Sequence, residues 1–562
     1  MSGATAKKTN TGGKRAAPAK AKAPAKALKA TPKEALKAAP KAAPKVVRLT
    51  AADMAEKQRE ISVSEFFTKN RHLLGFDSPA KALLTTVKEA VDNALDACEE
   101  AGILPDLILE IQEINETRYR VAVQDNGPGI VKAQVPRIFG QLLYGSKFHR
   151  LRQSRGQQGI GISAAAMYGQ LTTGRAINVI SKVGAGKPAH RFEIQIDTRR
   201  NTPVVVADHE VEWIPSHGTR VELEIEATYK KGRHSVDGYV EQTAMANPHA
   251  QIVYVDPKGE RVEYPRVAKE LPVAPKEIKP HPHGVELGIL LKMLHETKAK
   301  NLQGFLTSEF SRVSAASADE IAQTAMLPPT YSPHKAARDQ AEALYKAIQA
   351  TKLMAPPANV LSPIGEELLL AGLKKQVDAK FYAATSRSPA VYRGNPFCVE
   401  AALAYGGEAL PGDELITMLR FANRVPLLYQ QSACAVSKSV TQTNWKSYGL
   451  QQSRGALPTA PMLLMVHIAS VWVPFTSESK EAVASYPEIM KEIRLALQDV
   501  GRKLGIFIRR GLREADEEKK RSYIEKYIPH IGIALQEILG IGDKERDKVC
   551  STLKDTLERS RT

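Results

Sequence analysis

KEAVDNALDACEE, residues 88–100, mixes acids, one Asn and apolar residues at intervals that a helix would sort onto two faces. At helical spacing Val87, Val91, Ala94 and Cys98 form one apolar stripe, and Glu89, Asn93 and Asp96 recur at i, i+4 and i+7 on the other side. Alone, this is an ordinary amphipathic helix. Asp92 and Asp96 read as supporting a site or as facing solvent, and solvent is the preferred reading for Asp92. The residues that follow change the picture. VAVQDNGPGI (121–130) is a strand running into Asp-Asn-Gly-Pro-Gly, where glycines let the backbone approach a ligand closely. RGQQGIGISAAAMYG (155–169) sets Gly156, Gly159 and Gly161 just before a helix-forming run, which turns backbone N–H groups and a helix dipole toward an anion. The chain lacks a Walker pattern, and its Val-Ala-x-Lys, at 273–276, falls in a Pro-rich stretch rather than on a kinase-like strand.

Around this core the pattern is α+β. Strand-like runs occur at 107–114, 119–126, 176–183, 191–196 and 219–226, and period-two alternation in several of them predicts a largely antiparallel sheet with helices on one side. Pro-rich joints at 271–284 and 354–365 bracket a helical block at 285–350, and a second mixed region follows with a strand in PMLLMVHIASVWV (461–473). Tyr486, Met490, Ile493, Leu497, Val500, Leu504 and Phe507 step by four and three, an a/d seam on a long helix from about Pro487 to Arg521. It either packs lengthwise on its own domain or forms a stalk.

With 562 residues, the chain needs several cores. The four cysteines are scattered without a C-x-x-C pair, which fits a reducing compartment without structural zinc. No apolar stretch is long enough to span a bilayer, and no secretion signal is visible. Of the net charge of +18, +11 lies in residues 1–46, a Lys/Ala/Pro tail without aromatics. That composition predicts a disordered basic arm that meets nucleic-acid phosphates without sequence preference.

Glu89 and Asn93 as E-x-x-x-N, Asp125, Gly127 and Gly129 as D-x-G-x-G, Gly156, Gly159 and Gly161, and finally Gly218 and Thr219 in HGTRVELEIE occur in an order that resembles the GHKL ATPase superfamily. The resemblance implies a GHKL (Bergerat) ATPase sandwich that binds ATP and Mg²⁺. Glu89 would be the base that activates water, Asn93 the Mg²⁺ ligand, and Asp125 the acceptor for the adenine amino group, with Thr219 in support. A lid from about Gly140 to Gly161, with Lys147, Gly156, Gln157, Gln158, Gly159, Ile160 and Gly161, would close over the phosphates.

Longer segments narrow the branch. EFFTKNRHLLGFDSPAKALLTTVKEAVDNALDACEEAGILP (65–105), YGSKFHRLRQSRGQQGIGISAAAMYGQLTTG (144–174), ANPHA (246–250), NVLSPIGEELLLAGLKK (359–375) and residues 444–483 resemble the B-subunit family of type IIB topoisomerases, topoisomerase VI. That resemblance implies a GHKL ATPase domain at 47–270, a helix-two-turns-helix domain at 271–357, and an α/β transducer with a long C-terminal helix at 358–530. Residues 531–562 would be a helical segment for docking the topoisomerase VI A subunit, and the β-sandwich of some relatives is expected to be absent. The resemblance assigns Lys446, beside Trp445 in NWKSYGL, as the lysine reaching the γ-phosphate. Two B subunits would dimerise on ATP, trap double-stranded DNA and gate its passage through a break made by the A subunit, in an A2B2 heterotetramer. No D-x-D pair is present for cutting DNA. The alternative is an ATP-operated clamp or chaperone without strand passage. A cytoplasmic, nucleoid-associated protein of bacterial source is expected.

Overall fold

The computed structural model describes residues 51–55, 61–145, 150–156 and 159–559. The basic tail and the lid residues Lys147, Gln157 and Gln158 therefore lie outside the described residues. Within the first of two compact units the described part is one short helix, α1 (Ala51–Ala55). The second unit, Ile61–Thr562, carries the rest of the fold.

This unit starts with α2 (Val63–Lys69) and α3 (Pro79–Glu100), the helix that contains residues 88–100. Ser78 sets the start of α3 by accepting a hydrogen bond from the Lys81 N–H, and Pro79 fills the first turn, where its missing N–H costs nothing. Then come β1 (Asp106–Asn115), β2 (Arg118–Asp125), α4 (Val135–Gly140), α5 (Gly161–Thr173), β3 (Ile177–Lys182), β4 (Ala189–Asp197), β5 (Thr202–Val211), β6 (Gly218–Glu226), α6 (Val236–Ala246), β7 (Gln251–Val255) and β8 (Arg261–Tyr264). The eight strands form one sheet in the order β5-β4-β3-β6-β2-β1-β7-β8, antiparallel except where β1 meets β7. Leu107, Leu109 and Ile111 of β1 share one buried face with Val121 and Val123 of β2, and α3 and α5 lie on that face in a single apolar core. This is the one-sided α+β layer that the alternation predicts.

Four helices follow, α7 (Leu287–Glu296), α8 (Leu302–Glu309), α9 (Ala315–Thr324) and α10 (Arg338–Ala350). They close around their own core, which includes Leu290, Leu294, Phe305, Ile321 and Leu344. Asn301 and Ser314 cap α8 and α9 through their side chains.

The last region comprises α11 (Glu366–Gln376), β9 (Phe381–Ser386), β10 (Ala390–Tyr392), β11 (Asn395–Tyr405), β12 (Thr417–Ala422), β13 (Val425–Pro426), α12 (Ala435–Gln442), the small pair β14 (Gln451–Gln452) and β15 (Pro458–Thr459), β16 (Met462–Ser470), α13 (Pro487–Leu539) and α14 (Asp543–Arg559). β16 is buried at every position because both faces of its sheet are covered. Met465 and Leu463 meet α11, while Leu464 and Val466 meet α13.

The first part of the long helix packs lengthwise on its own domain, as one of the two readings has it. Ile493, Leu497, Val500 and Leu504 are fully buried on the sheet, each burial contributing roughly 1.5–3 kcal/mol. Phe507 closes the seam by stacking on Phe381 with ring centroids 4.6 Å apart. Beyond it Leu512, Tyr523, Ile524, Tyr527 and Ile531 are exposed. The helix also runs past Arg521 to Leu539, giving 53 residues and a length of about 80 Å. The charged run DEEKKR loses the apolar period but consists of good helix formers, and Gly540 at φ +64° supplies the stop.

Candidate active site

A cleft of about 570 Å³ opens between α3, the ends of β2 and β6, and the start of α5. Glu89, Asn93, Asp125, Gly129, Gly156, Gly159, Ile160, Gly161 and Thr219 line it together. Gly127 acts from behind: its N–H donates to Asp125 Oδ1 at 2.8 Å, as the Thr219 N–H does at 3.1 Å. Those bonds use Oδ1 and leave Oδ2 with no hydrogen bond from the described residues. Burial pushes the Asp125 carboxyl up to about 6, against the pull of the two N–H donors. Thr219 Oγ1 lies 3.2 Å from Ser181 Oγ, which in turn accepts the Ile130 N–H at 2.8 Å. One hydroxyl pair thus ties the floor of the cleft to the Asp-Asn-Gly-Pro-Gly turn.

Two glycines are required by space. A Cβ on Gly161 would fall 1.7 Å from Glu89 Oε2, so the carboxylate occupies the place a side chain would take. A Cβ on Gly129, at φ +72°, would fall 2.1 Å from the Lys182 carbonyl. Among the described residues no side chain caps the first turn of α5, which suits its N–H groups to an anion.

Two further acids of α3 are buried. Asp92 is 2% exposed and accepts the Tyr239 hydroxyl at 3.2 Å, and burial raises its carboxyl to about 6. Asp96 turns from the cleft to Arg155, whose Nη1 donates to it at 2.8 Å. The solvent-facing reading of Asp92 fails because α6 lays Tyr239 over that side of α3.

The largest correction concerns the lysine. Lys446 is exposed and is not among the cleft residues. Trp445 is buried in the second sheet's core with its indole N–H on the Val440 carbonyl, and Tyr448 packs on Gly501 and Gly505 of α13. That anchoring turns Lys446 outward. Lys480, in the loop between β16 and α13, enters the cleft instead, with Nζ 3.5 Å from Glu89 Oε1. It sits at φ +54°, a left-handed backbone that costs a non-glycine residue about 1–3 kcal/mol. Clamps hold it there: Lys81 pairs with Glu481 at 2.7 Å, and Lys88 Nζ donates to the Ser479 carbonyl at 3.2 Å. Burial disfavours its charge, but Glu89 and Asp92 outweigh that and keep the ammonium above its ordinary range. The signal in the sequence was a single Lys in a polar turn, TSESKEAV, between a buried strand and a long helix.

The fold and the cleft define an ATP-binding GHKL ATPase joined to a second α/β domain. Residues 79–228 match the family of histidine kinase-, DNA gyrase B- and HSP90-like ATPases, and residues 356–520 match the transducer of the topoisomerase VI B subunit. The B subunit of type 2 DNA topoisomerase 6 from Methanococcoides burtonii is 51% identical over 490 residues, spanning 87% of this chain and 79% of that protein. Its counterpart from Archaeoglobus fulgidus is 48% identical over 509 residues, 90% of this chain and 84% of its own. That from Pyrococcus horikoshii is 38% identical over 541 residues, 87% and 94%. This chain belongs to the B-subunit family of type 2 DNA topoisomerase 6, ATP-dependent topoisomerase subunits. These relatives are archaeal and lend no support to a bacterial source. Among the described residues no helix is long and apolar enough to cross a membrane.

Proposed function

We propose that this chain uses ATP and Mg²⁺ in the cleft to close and reopen a gate around double-stranded DNA, as the B subunit of an A2B2 complex with the topoisomerase VI A subunit. Asp125 Oδ2 accepts the adenine amino group, with Thr219 supporting the contact. The N–H groups of Gly159, Ile160 and Gly161 take the phosphates, and Gly156, Lys147, Gln157 and Gln158 complete the lid. Glu89 orients and deprotonates the attacking water.

The residues present fit Mg²⁺. The Asn93 amide lines the cleft without a hydrogen-bond partner among the described residues, and its oxygen is the hard ligand this ion takes. The described residues hold no cluster of three His, Cys, Asp or Glu, so phosphate oxygens and water would supply the other ligands. When bound, the ion neutralises charge developing on the phosphates.

Lys480 carries the reading. A lysine from the transducer, paired with the base at 3.5 Å, is placed to exchange that carboxylate for a γ-phosphate. The exchange frees Glu89 and shifts the loop that precedes α13, so nucleotide state reaches the stalk. ATP favours the dimer of two such chains by binding the closed state more tightly. The exposed apolar residues on the far half of α13, with α14, offer the docking surface for the A subunit, which makes the break. Residues 47–270, 271–357, 358–530 and 531–562 are the ATPase, helix-two-turns-helix, transducer and docking segments, and work on chromosomal DNA places the complex at the nucleoid. The test is Glu89→Ala in the A2B2 complex. It should bind ATP while hydrolysis falls at least about 10²-fold, the usual weight of a general base. Unchanged hydrolysis contradicts the assignment.

A further inference from the structure

Gln153, Ser154 and Arg155 immediately precede Gly156 and hold the rear of the phosphate loop. Each is tied to residues outside that loop. Gln153 exchanges two hydrogen bonds with the Ser362 backbone, at 2.9 and 2.8 Å. The Ser154 carbonyl accepts from Asn423 Nδ2 at 2.9 Å. Arg155 Nη2 donates to Glu99 at 2.6 Å, while its Nη1 holds Asp96, both on α3. Glu99 is shared: His249 Nε2 lies 2.6 Å away, and Arg424 Nη1 lies 3.9 Å from its other oxygen.

Asn423 and Arg424 are the whole turn between β12 and β13, at φ +47° and +67°. The Arg424 guanidinium reaches the Ser362 hydroxyl at 3.0 Å and the Pro363 carbonyl at 3.1 Å. Its backbone N–H donates to His467 Nε2 at 2.9 Å. That makes Nε2 the acceptor and leaves Nδ1–H to donate to Glu400 at 2.8 Å. Glu400 also accepts the N–H groups of Ile364 and Gly365. The chain of contacts thus runs from the phosphate loop through the interdomain segment into the central strands of the transducer.

Adhesion alone does not explain this construction. Apolar side chains join two domains at least as well as buried ion pairs do. Positive φ at both residues is the type I′ geometry of a two-residue hairpin, usually Asn-Gly, so an arginine at the second position costs free energy that glycine would avoid.

We propose that Arg155 and Arg424, through their shared Glu99, are positioning residues that couple the start of the phosphate loop, at Gly156, to the transducer, a second link independent of Lys480. This rests on the cleft being the ATP site.

The test uses the A2B2 complex and measures DNA links removed per ATP hydrolysed, together with the KM for ATP. The ratio does not depend on the fraction of protein folded, so a purely structural role would leave it unchanged. Arg424→Lys keeps the charge and loses the fork, and Gln153→Ala removes only the pair with Ser362. A fall of at least about fivefold in links per ATP in either variant, with KM within about twofold, supports the link. An unchanged ratio in both, or a raised KM with the ratio held, overturns it. Should Arg424→Lys fail to fold, Gln153→Ala decides by the same criterion. Glu89→Ala run in parallel separates the two readings. Normal hydrolysis in that variant removes the ATP site itself, whereas a constant ratio beside an inactive Glu89→Ala removes only this link.

Discussion

Lys480 Nζ lies 3.5 Å from Glu89 Oε1, although one residue sits on α3 beside the first sheet, the other in the loop after β16 of the second, and most of the chain separates them. The pair is nearly closed to solvent, with side-chain exposures of 4% and 15%. An ammonium on one carboxylate oxygen competes for it with an incoming water. On the proposed reading the pair restrains Glu89 until a γ-phosphate received at the neighbouring α5 N-terminus takes the lysine.

The space over Gly161 gives a steric prediction. Gly161→Ala puts a methyl where Glu89 Oε2 now sits. The carboxylate must swing away, and hydrolysis should fall at least about 10²-fold, as a displacement of this size at a reacting group does. Single-turnover hydrolysis measures it, with circular dichroism to show that α5 remains; near-normal turnover would mean that Glu89 acts from another position.

Asp125 predicts a pH dependence of ATP affinity. Its carboxyl is raised to about 6 by burial. Above that value it is an anion that only accepts; below it, one oxygen carries a proton and opposes the adenine N–H. Affinity should therefore fall as pH drops through about 6. Asp125→Asn should bind roughly tenfold more weakly near neutral pH, the value of a charge-assisted hydrogen bond. Its affinity should lose the part of the pH dependence that ATP's own ionisation does not supply. Fluorescence titration of both proteins across the range reads the difference, and parallel curves would remove Asp125 from adenine recognition.

Glu99 predicts an acid-sensitive interface. Burial raises its carboxyl, but Arg155, His249 and Arg424 outweigh burial and hold it far below its ordinary 4.5. A depressed folded-state value means that the stabilisation is present above about 4.5 and is lost as pH falls toward the folded value. Glu99→Gln removes the carboxylate that two buried guanidinium groups share and should cost about 3–5 kcal/mol at neutral pH. Thermal unfolding at neutral and acid pH should show the variant less stable and less sensitive to acid than the parent. Equal slopes would place the acid sensitivity elsewhere.

The residues that make up the cleft were legible because their spacing is local. E-x-x-x-N lies on one helix face, and each glycine set sits in one turn. The first sheet was legible where alternation is strict, as in 107–111, and not at β5, whose consecutive valines 204–206 lie exposed at the sheet edge and break the period. Lys480 could not be read in this way. Its place depends on a loop folding back across two sheets, a long-range contact that leaves no period in the sequence. Trp445 beside Lys446 drew the assignment there, yet the same tryptophan, by burying itself, turns that lysine outward. Asp92 failed for a related reason: the helix that covers it, α6, is more than a hundred residues away in sequence.

The most direct test compares steady-state ATP hydrolysis by the A2B2 complex carrying Lys480→Ala with that carrying Lys446→Ala. Lys480→Ala should lower turnover at least about tenfold and abolish ATP-dependent DNA relaxation, while Lys446→Ala should hydrolyse ATP within about twofold of the parent. Normal hydrolysis in Lys480→Ala, with loss in Lys446→Ala, would contradict the account and return the γ-phosphate contact to the outward-facing lysine.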